Sequence, residues 1–343
     1  MNRLLQLALF TLTLMTTSAY AANSAPATIR IAVPDAGGSD KHAAGGVIDV
    51  IREQHLLEKA FEKDKITIEW RFFKGAGPVI NEALANDQVD IAYMGDLAAI
   101  VGKAGGLDTR VLSVGVRGIK SYLAVRPGSE IKQLSDLKGK RIAVFRGTAL
   151  QLSFVSALAS QGLSERDVKV INLDPNAANA ALAAGQIDGT WGLSNLIVLQ
   201  QRGLAELPVN SKELQNAGST QMMLLGTGKF VRDYPELVTR LLEVQKQASD
   251  WLRDERNKKT YIELFTKNSS WPPYVLETEL ADEDLATYFD PRLDADFVSG
   301  LQKSIELAFS ERLIRRRFEA RDWVEPSYMN KVMAEKATAK VNP

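Results

Sequence analysis

Five turns in the sequence place glycine directly after an apolar run, four of them with hydroxyl, amide or acidic side chains beside it. They hold Gly37, Gly38 and Ser39, with His42 close behind; Gly75, Gly77 and Pro78; Gly95 and Asp96; Arg146, Gly147 and Thr148; and Trp191, Ser194 and Asn195. Each precedes a stretch of helical spacing. A turn in that position presents unpaired amide N–H groups and about half a positive charge at a helix N-terminus. Glycine lets the backbone come close, and Ser39, Thr148 and Ser194 add hydroxyl donors. Such groups can grip an anion; they have no means of transforming it. Arg117 and Arg146 could add bidentate guanidinium contacts, the competing reading of each being a surface or hinge ion pair. Trp191 could pack an apolar ligand tail, against plain burial in a core. A Ser or Thr at such a junction is also an ordinary helix N-cap, so one turn decides little and five in repeated order favour a binding cleft.

Catalytic arrangements are scarce. With no cysteine in 343 residues, disulfides, thiolate zinc sites, cysteine nucleophiles and a lipid-modified N-terminal cysteine are excluded. The two histidines, His42 and His55, lie in one helical stretch and suggest neither a dyad nor a metal cluster. No phosphate-binding loop, dinucleotide fingerprint or nucleophile elbow is present, and no cofactor is expected. Basic and acidic residues balance at 42 each, which argues against nucleic acid as a partner. An anion must therefore be held by local groups and not by a global field.

The elements that position these turns follow a strand–helix alternation. Residues 29–34 alternate and are β-branched, a strand; 42–61 carry apolar residues at helical spacing; 66–73 and 89–94 are further strands, with a short helix opening at Gly75–Pro78. This βαβαβ order is that of a largely parallel sheet flanked by helices. The same grammar restarts at 136–144 and runs through a helix at 149–160, a strand at 168–173, an alanine-rich helix at 176–184 and a turn and strand at 185–192. Ile31-Ala32-Val33 matches Ile142-Ala143-Val144, and Val89-Asp90 matches Ile187-Asp188. Two α/β lobes of similar plan are expected, joined by extended segments at 120–127 and 220–227. From 230 onward the pattern is helical, with later helices at 280–287 and 294–318, and this part should pack on the first lobe. The basic run 312–317 reads as a solvated helix end favouring its C-terminal dipole.

The N-terminus reads as an export signal. Arg3 precedes an apolar run at 4–15, too short to span a bilayer, and Ala19-Tyr20-Ala21 supplies the small residues of a cleavage site. Cleavage near Ala21 would deliver the chain to a Gram-negative periplasm. The expected division is 1–21 signal peptide, 22–119 first lobe, 120–226 second lobe with hinge strands at both ends, and 227–343 the helical remainder of the first lobe.

These motifs together resemble the periplasmic solute-binding proteins of ABC importers. They are the export signal, the strand at 29–33, Gly75-Ala76-Gly77-Pro78 with Glu82-Ala83-Leu84, Val89 to Asp96, Asp136 to Val144, and Gly185-Gln186-Ile187-Asp188. The aliphatic sulfonate, taurine and nitrate binders form the most similar branch. The resemblance implies a two-lobed type II binding-protein fold, each lobe a mixed, mainly parallel sheet, with a two-segment hinge and a ligand closed between the lobes without chemistry. It implies an aliphatic sulfonate or related organosulfur ligand, an inner-membrane ABC permease as partner, and a monomer. Nitrate, a sulfate ester or a carboxylate in the same fold stays open. So does a two-lobe enzyme of thiamine-pyrimidine precursor type, against which the lack of cysteine counts, and a module that feeds a membrane sensor. Thr148-Ala149-Leu150-Gln151 stands where sulfonate binders often carry serines, and Leu97-Ala98-Ala99 where some carry prolines.

Overall fold

A computed structural model describes residues 25–37, 41–269 and 271–339. The export signal, Gly38 and Ser39 lie outside these described residues.

The chain builds two five-stranded sheets. β1 (Thr28–Pro34), β2 (Thr67–Phe73), β3 (Ile91–Gly95) and β4 (Thr109–Ile119) belong to the first. β5 (Tyr122–Val125), β6 (Arg141–Val144), β7 (Lys169–Asn172), β8 (Gly189–Gly192) and β9 (Glu206–Asn210) make the second, and β10 (Thr220–Thr227) returns to the first. The strand orders are β2-β1-β3-β10-β4 and β7-β6-β8-β5-β9. In each sheet two parallel pairings are followed by two antiparallel ones. Both sheets are mixed and repeat one plan.

The segments expected to link the lobes are strands inside the sheets. β5 lies between β8 and β9, and β10 between β3 and β4, so 220–227 belongs to the first sheet. The crossings themselves are shorter: Lys120 and Ser121 one way, residues 211–219 the other. An apolar run such as 220–227 pairs on both edges because exposed backbone groups would otherwise go unbonded.

Alternation sorts each strand's side chains to two faces. Ile29, Ile31 and Val33 join one core cluster with Ile91 and Tyr93, while Ala32 joins Ala92 and Met94 on the other face. In the second sheet Ile142 and Val144 face one way and Ala143 the other. The matched sequence signatures have a physical cause. Arg30 is the third residue of β1, and Asp90 accepts from its backbone N at 2.9 Å and from its Nε and Nη2 at 2.9 and 2.6 Å. Arg141 opens β6, and Asp188 accepts from the same three atoms at 2.7, 3.2 and 2.9 Å. Each aspartate immediately precedes one strand, β3 or β8, and clamps the arginine of its parallel neighbour, β1 or β6, which fixes parallel register.

Helices α1 (Gly46–Glu53), α2 (Leu56–Phe61), α3 (Ala76–Ala85) and α4 (Asp96–Gly105) flank the first sheet, and α5 (Ala149–Ala159), α6 (Pro175–Ala183) and α7 (Leu196–Gln201) the second. The single helix expected over 42–61 is two, broken where His55 takes φ 52° ahead of α2. After α8 (Gly228–Asp233) come α9 (Pro235–Leu252), α10 (Lys258–Asn268), α11 (Pro273–Glu279), α12 (Leu285–Tyr288), α13 (Ala295–Ser310) and α14 (Pro326–Ala339). Leu241, Leu242 and Met329 enter the core under one face of the first sheet, Leu301 and Ile305 that under the other. α13 stops at Ser310, so the basic run lies beyond it. Its Arg316 donates to the Ala104 carbonyl in the last turn of α4 at 3.1 Å. The cation does serve a helix C-terminus, but that of a different helix.

Candidate functional site

The strand ends of the two sheets meet. A Cβ placed on Gly95, at the end of β3, would stand 2.7 Å from the Cβ of Ala149, the first residue of α5. One on Gly147 would stand 3.3 Å from Cγ of Pro78 in the first turn of α3. The turns after β2 and β3 thus oppose the turn after β6. The turn after β8, with Ser194 and Asn195, lies beside the latter because β8 pairs with β6. The geometry brings four of the five predicted turns to one interlobe crevice. On its hinge side a cavity of about 300 Å³ is lined by Asp96, Ser153, Ser156, Asn216, Gln221 and Lys303 among others.

The fifth turn follows β1 and is fastened by its own side chains. The buried Asp35 carboxylate accepts from Gly37 N at 2.9 Å and meets His42 Nδ1 at 2.9 Å. The half-exposed His42 ring stacks on Phe72 at 4.6 Å. Asp49, wholly buried, accepts from Ala44 N and Gly45 N, and burial raises its pKa.

Several predicted donors are already engaged. Gly147 N donates to Gln151 Oε1 at 2.9 Å, Gln151 Nε2 donates to Glu165 at 3.1 Å, and Arg146 pairs with Glu165 at 3.2 Å. The Thr148 hydroxyl donates to the Phe145 carbonyl at 2.7 Å and accepts from Leu150 N, an N-cap of α5. Arg117 pairs with Asp294 at 3.0 Å and donates to the carbonyls of Asp290 and Arg292. Trp191 is 1 % exposed, and its indole N–H donates to Ser153 Oγ at 2.7 Å. Ser153 also bonds Ser121 on one crossing and Gly218 on the other. Trp191 therefore packs behind the crevice and braces the hinge.

What remains free is specific. No side chain caps α3, so the N–H groups of Gly75 to Gly77 are unclaimed by a cap; Pro78 beside them stands against Gly147, and Gly77 packs on Ala98 of α4, where an added Cβ would lie 2.1 Å away. Ser194 Oγ and the Asn195 side chain make no hydrogen bond, and Asn195 does not cap α7. Asp96 differs from both. Its Oδ1 accepts from Leu97 N at 2.7 Å, so the α4 N-terminus is occupied by an internal anion. The side chain is buried with no cation paired to it, and desolvation pushes its pKa up to about 7. Gly95 and Asp96 thus shape the crevice and set its charge more than they donate to a ligand. The sequence reading named Gln151 only as a departure from a serine pattern and passed over Glu165, Ser156, Asn216, Gln221 and Lys303. Only the polar character of the second crossing hinted at any of them.

The profile of proteins described as NMT1/THI5 like matches residues 68–258. The chain belongs to that family. It is 28 % identical over 326 residues, 94 % of its length and 96 % of the relative, to an Escherichia coli protein named for binding aliphatic sulfonates. The periplasmic sulfonate-binding protein SsuA of Methylobacillus flagellatus superposes with TM-score 0.78 at 25 % identity, covering 90 % of this chain and 94 % of that one. The alkanesulfonate-binding protein SsuA of Xanthomonas axonopodis, solved with MOPS bound, does so with TM-score 0.74 at 27 % identity, covering 88 % and 98 %. The two matched sheets are the fold of periplasmic binding proteins. Among the described residues no helix is long and apolar enough to cross a membrane, and no group of acidic and histidine side chains forms a metal cluster.

Proposed function

We propose that this chain is the periplasmic substrate-binding component of an ABC importer and captures a small organic anion, an aliphatic sulfonate or related organosulfur compound, without transforming it. The observation that carries the reading is the uncapped first turn of α3 at the join of two matched lobes, where its Pro78 stands against Gly147 in the turn beside Ser194 and Asn195, whose side chains are unbonded. Amides at Gly75 and Gly77 and the Ser194 and Asn195 side chains hold the charged head, with Pro78, Gly95 and Gly147 keeping the opposing walls close. Gly37 and His42, in the turn after β1, close one end. The kinship with sulfonate binders supports the sulfonate over nitrate. Residues 1–21 act as a cleaved signal, the mature chain works as a monomer, and its closed form docks on an inner-membrane permease. Closure completes the site, so ligand shifts the lobes toward the closed state.

Isothermal titration against alkanesulfonates, taurine, MOPS, sulfate esters, nitrate and dicarboxylates tests the reading. Micromolar or tighter binding of at least one sulfonate is expected. Binding of nitrate or dicarboxylates with no sulfonate bound, or of no organic anion, refutes it. Mass spectrometry of the species that copurifies with the protein identifies the ligand independently.

A further inference from the structure

Two chain crossings connect the lobes, and a third segment touches both. α11 lies in the helical part that packs on the first lobe, yet its Val275 is wholly buried in the second lobe's core with Tyr122, Ala124, Ala143, Leu196 and Ile197. The next residue, Leu276, is buried in the first lobe's core. At the end of α11, Glu279 accepts from the backbone N of Lys120 at 3.3 Å and from the Tyr122 hydroxyl at 3.0 Å, with the Tyr288 hydroxyl at 3.5 Å. Lys120 is on the first crossing and Tyr122 opens the second sheet. Four residues later Glu283 pairs with Lys120 Nζ at 3.3 Å and with Lys212 Nζ at 3.1 Å, and Lys212 is on the second crossing. Lys212 also donates to the Asp282 carbonyl. Lys120, Glu279 and Glu283 are largely shielded from water, so these contacts are little screened by salt.

We propose that residues 271–283 form a third hinge element that ties both crossings together and holds the lobes toward the closed arrangement, making Glu279, Glu283 and Lys212 affinity-setting residues outside the ligand crevice. The bonds are made in the arrangement in which Gly95 meets Ala149 and Gly147 meets Pro78. Opening the lobes moves Lys120, Tyr122 and Lys212 relative to a helix anchored in both cores, and some of these bonds must break. A ligand that needs the closed form gains whatever bias the strap supplies.

The test uses the full mature chain, whose lack of cysteine makes two introduced thiols unique labelling sites. Lys63→Cys on the first lobe and Gln161→Cys on the second, both at exposed positions, carry spin labels for pulsed distance measurement without ligand. Lys212→Met removes one arm of the strap at a half-exposed position and leaves the buried Lys120–Glu283 pair intact. Glu279→Gln weakens the other arm. In both variants the distance distribution is expected to shift toward longer, open separations, and the dissociation constant for MOPS to rise about 3- to 10-fold with faster release. Unchanged distances in a folded Lys212→Met variant overturn the proposal, as does a shift toward shorter separations. The proposal rests on the binding reading only for its affinity arm. If the wild type does not bind MOPS, that is a failure of the ligand assignment, and the distances still decide.

Discussion

Asp96 offers a perturbation whose size can be worked out. Its carboxylate lies at the start of α4 beside the interlobe cavity, hydrogen-bonded to Leu97 N and without a paired cation. Burial moves its pKa from the ordinary 3.8 to about 7. The folded state then binds this proton more tightly than the unfolded chain, so stability from this group is full below pH 4 and falls as pH rises toward 7. About three pH units correspond to on the order of 4 kcal/mol. Solvent reaching the cavity side of the carboxylate brings the measurable value down to roughly 1–3 kcal/mol. Asp96→Asn keeps an oxygen that can accept from Leu97 N and cannot ionise. Urea unfolding of both proteins at about pH 3.5 and pH 8, read as variant minus wild type, isolates Asp96 from other buried acids such as Asp49 and Glu279. Near-equal stabilities at about pH 3.5, below the unfolded pKa, and a variant more stable by roughly 1–3 kcal/mol at pH 8 are expected. A difference that does not grow with pH, or a variant less stable at pH 8, refutes the account of a desolvated acid. The same reasoning makes sulfonate binding weaken above pH 7 in the wild type, where the anion must enter beside an ionised Asp96, and stay flat in Asp96→Asn.

Two further outcomes follow from the geometry. Gly95→Ala fits its backbone, at φ −70°, but its Cβ would stand 2.7 Å from Cβ of Ala149 across the crevice; at about 1–3 kcal/mol for overpacking, ligand affinity falls roughly tenfold while the melting temperature barely moves, and adding Ala149→Gly restores binding by titration calorimetry. Asp188→Asn breaks the clamp on Arg141, which holds the Asp188 pKa down at about 2; the loss, roughly 1–2 kcal/mol at pH 7 in chemical denaturation, persists above pH 4 and fades as pH falls from 3.8 toward 2, where the native carboxylate protonates as well.

The sequence carried the architecture further than the site. The β-branched alternation at 29–34 and the repeated hydrophobic-Asp signature reported two lobes, since both come from local pattern and from one recurring clamp. The repeat could not report that 220–227 lies between β3 and β4, because pairing partners are set by tertiary packing. It also gave no sign of the break at His55, where the backbone turns left-handed. Within the site, glycine turns after strands were readable as positions, but the occupancy of their donors was not. Gly147 N, Thr148 Oγ1 and Arg146 look available in one dimension. Gln151 and Glu165, a turn and more further on, claim two of them, and the Phe145 carbonyl the third.

That difference bears on how a chain of zero formal net charge can bind an anion. If all five turns offered free amides, the crevice would be strongly positive and would bind inorganic anions without discrimination. Instead the α5 end is capped by Thr148, the α4 end by its own Asp96, and the first turn is held by Asp35 and Asp49. Electropositive character is left at the start of α3 and near Ser194 and Asn195. One localised donor set facing a wall of Pro78, Gly95, Gly147 and Ala149 can hold one small head and leave room for an uncharged remainder. A compact anion with charge on every side gains nothing from that wall and, above pH 7, enters beside an ionised Asp96. Under the proposed binding function this distribution of donors and carboxylates favours an organic anion with a single charged end over an inorganic oxyanion.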